Sequence, residues 1–138
     1  MTLHLQKLCV GADGPEDLHA WQETRPDRFG GVIHITRTRP KRAAELLAGG
    51  SLYWVMRGAI LCRQRLIGFE DWPGEDGIVR CAIVMDRAII RTAPAPRRPF
   101  QGWRYLEDAA APADAGRFDP TDDMPDTLRR ALAEVGVI

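Results

Sequence analysis

No stretch of this sequence approaches the roughly 18 consecutive apolar residues that a membrane-spanning helix needs. The opening, Met1 to Gly11, is too short and too alternating for a secretory leader. Both absences predict a cytoplasmic chain with no membrane partner. Cysteine is scarce. Cys9, Cys62 and Cys81 are an odd set without C-x-x-C spacing, so they predict reduced thiols in apolar strands and no disulfide framework. Histidine is as sparse: His4, His19 and His34 make no H-x-H, H-E-x-x-H or Cys/His cluster, and no metal site is expected. G-x-S-x-G, G-x-x-x-x-G-K and G-x-G-x-x-G are all missing, so the sequence offers no nucleophile elbow, P-loop or dinucleotide fingerprint, and no cofactor is expected.

What the sequence has is arginine in one place. Its formal charge of zero is a sum of 19 basic and 19 acidic groups, unevenly spread. Residues 1–27 hold 2 basic and 5 acidic groups, residues 28–104 hold 14 and 6, and residues 105–138 hold 3 and 8, giving −3, +8 and −5. Thirteen of the 14 central basic groups are arginine. Arginine makes planar two-point contacts to phosphate and carboxylate and stacks on rings. The pattern predicts an anion-binding middle between acidic ends.

A length of 138 residues predicts a single domain, 1–138, with an ordinary core. Leu3 to Val10 alternates as an opening strand, and Pro15-Glu16-Asp17 opens a helix with acids facing its dipole. Val32 to Arg37 is β-branched and reads as a second strand, followed by a helix from Lys41 to Leu47 that stops at Gly49-Gly50. Leu52 to Met56, Ala59 to Phe69 and Ile78 to Met85 read as three consecutive antiparallel strands, turning at Gly58 and at Pro73-Gly74. The prolines of Ala93 to Pro99 exclude a central strand and predict an extended, polyproline-like segment. An acidic segment near 108–125 reads as mobile, and Asp126 caps an expected C-terminal helix, Thr127 to Val135. The predicted class is α+β. Two helices precede a consecutive antiparallel strand run, the sheet bends strongly or closes into a small barrel, and a helix ends the chain. The element order is similar to that of PUA-like barrels.

Three constellations carry the candidate chemistry. Arg37, Arg39, Lys41 and Arg42 cluster where a strand meets a helix N-terminus, whose free amides favour anions; a solvated basic surface is the alternative. Tyr53-Trp54 with Arg57, Arg63, Gln64 and Arg65 pairs rings with guanidinium groups, a combination able to stack a base or hold a phosphate. Alternate residues of that strand must also fill the core. Arg97 to Tyr105 packs Arg97, Arg98 and Arg104 among Phe100, Trp103 and Tyr105, which suits nucleotide stacking, a protein–protein contact or a wrapping segment whose aromatics plug the core. His34 is the histidine nearest the basic cluster and the one candidate for acid–base work.

At these segments the chain resembles a family of bacterial proteins known as domain of unknown function 1489. The matching residues are Lys7-Leu8-Cys9-Val10-Gly11, Pro40-Lys41-Arg42-Ala43 with Glu45-Leu46-Leu47, Gly50 to Val55, Arg63-Gln64 and Arg98 to Leu106. The resemblance implies a single cytoplasmic bacterial domain and supplies no catalytic residue.

The leading expectation is an arginine-rich anion surface that binds nucleic acid, RNA above DNA, or a nucleotide. Overall neutrality counts against strong nonspecific binding. One alternative is an interaction or homodimer module docking through Arg97 to Tyr105. Another is an enzyme acting on a phosphorylated or carboxylated small molecule, which a concave pocket joining His34 to arginines would favour.

Overall fold

A computed structural model of the chain describes residues 2–121. Its elements in order are β1 (Leu3–Leu8), α1 (Pro15–Glu23), β2 (Val32–Thr36), α2 (Ala43–Leu47), β3 (Ser51–Met56), β4 (Ala59–Pro73), β5 (Val79–Met85), β6 (Ile90–Pro96), β7 (Trp103–Glu107) and β8 (Asp114–Arg117). One eight-stranded sheet runs β2-β5-β4-β3-β1-β7, with β6 paired to both β4 and β8.

The three-strand run forms as its turn residues predict. β3 and β4 turn through Arg57 and Gly58, both at positive φ (50° and 80°), the geometry of a tight hairpin whose twist matches its strands. β4 is fifteen residues long because it serves several partners: its first half pairs with β3 and β6, its second with β5.

The expected class requires correction. The molecule is mostly sheet, the sheet is mixed, and it does not close into a barrel. β1 does not join its neighbour in sequence. It inserts between β3, to which it is parallel, and β7, to which it is antiparallel. Parallel neighbours need a crossover, and residues 9–50 supply it by running out to the far edge of the sheet, where β2 pairs with β5. The helices therefore lie inside that crossover, α2 is a single short turn of five residues, and the antiparallel run does not simply follow them. The two ends of the path, β2 and β7, are not paired with each other among the described residues, so the PUA-like barrel is also ruled out. The expected C-terminal helix, Thr127 to Val135, lies outside the described residues.

The proline-rich segment pairs further than its composition predicts, since β6 extends to Pro96. Its ladder to β8 nevertheless ends at Thr92, and Pro94 and Pro96 stand beyond it, where no second strand asks for an N–H.

All six residues of β3 are buried, so the sheet is covered on both faces there. Leu52, Trp54 and Met56 join the larger core with Leu5, Leu18 of α1 and Leu46 of α2. Tyr53 and Val55 join a smaller one with Ile60 and Leu106. The larger core contains a polar knot. The Gln64 side chain is fully buried, its Oε1 accepting from Trp54 Nε1 (2.9 Å) and Gln22 Nε2 (3.0 Å) and its Nε2 donating to Gln22 Oε1 (2.8 Å) and the Asp86 carbonyl (3.1 Å). All three thiols are buried, and burial pushes each above its ordinary range, Cys9 to about 11.

Candidate functional site

α1 and the edge strand β2 enclose a cleft of about 420 Å³, within the size range of small-molecule sites. Pro15 starts α1 and fixes its first turn. One and two turns later Leu18 and Gln22 face inward, which leaves Trp21 on the flank, 44% exposed. Arg25 follows the helix and lays its guanidinium over the Trp21 ring at 4.3 Å. Arg87 closes the C-terminal end of α1: its guanidinium donates to the Gln22 and Arg25 carbonyls and pairs with Asp27. Cations are favoured at that end of a helix, and this one holds the cleft wall in place.

The chain then turns back through Phe29 and Gly30, both at positive φ, with Arg28 and Gly31 exchanging backbone hydrogen bonds of 2.8 and 3.1 Å. Gly31 has no room for a side chain; a Cβ there would stand 2.3 Å from the Met85 carbonyl oxygen. This tight return presents Arg28 over the Trp72 ring at 5.6 Å. The remaining wall comes from Ile33, His34 and Ile35 of β2, and Trp54 and Met85 also line the cleft.

Three of the four tryptophans, Trp21, Trp54 and Trp72, thus line one cavity with two guanidinium groups. No acidic side chain lines it among the described residues. His34 meets Trp54 edge to face at 5.4 Å. Burial, reinforced by the positive charges of Lys7 and Arg25, holds its pKa down to about 4, so the imidazole is neutral at pH 7. A neutral imidazole offers one donor and one acceptor. Burial also lowers the pKa of Lys7.

The residues predicted from sequence lie elsewhere, and they divide by partner. Arg39 pairs with Asp71 (2.9 Å), Arg42 with Glu45 (2.6 Å), Arg57 with Asp13 (2.9 Å) and Arg63 with Asp114 (2.7 Å). Arg97 donates to Gln6, to its neighbour's carbonyl and to Ala110, and Arg104 stacks on Phe100 at 5.0 Å. Arg37, Lys41, Arg65 and Arg98 are exposed and without an ion-pair partner among the described residues. Gln64 belongs to the polar knot in the core.

Two of the three constellations meet. Trp103 Nε1 donates to the Thr38 carbonyl (2.9 Å), and Tyr105 Oη accepts from the Arg42 N–H (3.2 Å), so β7 fastens the loop from Arg37 to Arg42. Trp103 is half-buried between Tyr105 and the core. Trp103→Ala should therefore cost about 2–3 kcal/mol, below the 3–5 of a fully buried ring. A thermal melt checks this; an unchanged midpoint would show that the ring fastens nothing.

Sequence reasoning missed Arg25, Arg28 and Arg87. The first two stand singly in a loop, without the neighbouring charge that marks a basic run.

A model of the family described as protein of unknown function, DUF1489, matches residues 5–138. The chain belongs to that family. No curated protein and no solved structure matches this DUF1489 chain. Among its described residues no helix is long and apolar enough to cross a membrane, and no group of three or more His, Cys, Asp or Glu residues is placed to hold a metal ion.

Proposed function

We propose that this DUF1489 chain binds a nucleotide unit, with the base in the cleft between α1 and β2 and the phosphate on Arg25 and Arg28. The observation that carries the reading is the composition of that cleft: three tryptophans and a neutral imidazole, two guanidinium groups, and no acidic lining residue among those described. Every base has a π-face that an indole can stack against, at about 1–3 kcal/mol per base. His34 supplies a donor and an acceptor for a base edge.

Single-stranded RNA is the favoured source of that unit. Arg37 directly follows β2, Lys41 lies four residues on, and both are exposed and unpaired among the described residues, so they are available to adjoining phosphates. Such contacts are sensitive to salt, with a slope of about −0.7 per phosphate for single strands.

Tryptophan fluorescence tests the reading, because three of the four indoles line the cleft. Titration with a mixed-sequence RNA oligonucleotide at low salt should quench emission. Arg25→Ala with Arg28→Ala should weaken binding more than tenfold, since hydrogen bonds to charged groups contribute roughly 1.5–3 kcal/mol each, while the thermal midpoint stays put. A free nucleoside monophosphate binding as tightly as RNA would make the ligand a small molecule. Absence of quenching by either overturns the proposal.

A further inference from the structure

Neighbouring residues of a strand point to opposite faces, so Tyr53 looks away from the tryptophan cleft that Trp54 lines. On its side of the sheet lies a second recess of about 390 Å³, more polar in character, lined by His4, Ser51, Tyr53, Arg63, Asp108 and Asp114 among others. Most of its groups are engaged. His4 Nδ1 accepts from the Ser51 N–H (3.0 Å), which puts the ring proton on Nε2, and Nε2 donates to Asp108 Oδ1 (2.8 Å). Arg63 donates through Nη1 to Ser51 Oγ (3.0 Å) and grips Asp114 with both prongs of its fork, at 2.8 and 2.7 Å.

One group is not engaged. Tyr53 is 4% exposed as a residue, and its hydroxyl, which lines the recess, has no hydrogen-bond partner among the described residues. Its oxygen reaches solvent at the recess and is free to donate there. Burial raises its pKa, so it keeps its proton as a donor. Ser51 Oγ accepts from Arg63 and has its own proton left to give. Two hydroxyl donors and a guanidinium therefore line one recess, and the oxyanion that now holds the guanidinium is the chain's own.

That oxyanion is weakly delivered. Asp114 begins β8, whose four residues are all exposed and which pairs with β6 alone, with an irregularity next to Thr92, the partner of Asp114. The pair is two-pronged, but Asp114 is about half exposed, so a ligand carboxylate that offers the same two acceptors can take its place. Asp108 sets a second requirement: a carboxylate with a lone pair to spare accepts from a ligand hydroxyl and repels a second negative charge.

We propose that this recess is a binding site for a small hydroxy-carboxylate, whose carboxylate replaces Asp114 on Arg63 and takes the Tyr53 hydroxyl proton, while a ligand hydroxyl donates to Asp108. β8 is the strap that the ligand lifts. The site is independent of the nucleotide cleft on the other face.

The 138-residue chain, titrated calorimetrically with gluconate and L-lactate, tests this. Both should bind, and inorganic phosphate should bind more weakly. Asp114→Asn removes the competing charge and should tighten binding about tenfold. Tyr53→Phe keeps the ring and the fold and should weaken binding about tenfold, the value of one hydrogen bond to an ionised partner. Arg63→Gln should abolish it; should that variant not fold, the Tyr53→Phe result decides. No heat with either hydroxy-carboxylate, in the wild type and in Asp114→Asn alike, overturns the proposal and makes the Arg63–Asp114 pair a structural tie. Equal affinity in wild type and Tyr53→Phe also overturns it.

Discussion

Replacing Gln64 with leucine should destabilise the chain by about 3–5 kcal/mol. The volume hardly changes, so packing is not the cause. The variant strands Trp54 Nε1, both ends of the Gln22 amide and the Asp86 carbonyl, all partners of Gln64 in the wild type. Each buried polar group left unpaired costs roughly 1–3 kcal/mol. Gln22→Leu alone should cost less, because Trp54 and Asp86 keep their bonds. Combining the two should recover part of the loss, since the Gln22 amide is no longer there to orphan. Chemical denaturation of the four chains closes this cycle. Strict additivity would show that the two amides do not act as a pair.

Acidification should remove a further part of the stability through His34. Its folded-state pKa is depressed from 6.5 to about 4, chiefly by burial and then by Lys7 and Arg25. The unfolded chain takes a proton that the folded chain refuses. The stabilisation is therefore complete above pH 6.5 and is lost as pH falls toward 4, in total about 3 kcal/mol at roughly 1.4 per unit. Denaturation of the wild type and of His34→Leu at intervals from pH 7 to 4 isolates this contribution from the carboxylates. The wild type should lose stability steeply across that window and the variant should not. Parallel curves would mean that His34 takes up its proton as readily folded as unfolded.

The parts legible in the sequence were those set by neighbours along the chain. Apolar runs and turn residues announced β3, β4 and β5, and Pro15 with its following acids announced α1. Pairing between distant segments was not legible. Alternation says that Leu3 to Leu8 is a strand, and nothing in it says that the partners are Ser51–Met56 and Trp103–Glu107. The candidate site failed in the same way. Gln64 stands between Arg63 and Arg65 and reads as part of their ligand-binding cluster until Gln22, 42 positions away, is brought against it. Arg25 was counted in an acidic stretch, where its charge was outvoted. It matters because α1 sets it beside Trp21, across from Arg28 on Trp72. His34 was singled out from sequence, and it lines the cleft with these arginines rather than with Arg37, Arg39, Lys41 and Arg42.

The position of β1 dictates a timetable for the chain as it leaves the ribosome. Of the strands described, Leu3 to Leu8 is made before the rest, yet its ladders wait for Ser51–Met56 and then for Trp103–Glu107. Until Glu107 has emerged, the strand that fills the gap between β3 and β7 has an unsatisfied edge, and its apolar face is covered only in part. The β3–β4–β5 meander needs no such delay, because each of its partners is the next segment synthesised. Local hairpins form early and distant pairings late. The residues of β1 are thus made before their partners and are among the last to find their place, and through that interval they are the ones most in need of a chaperone.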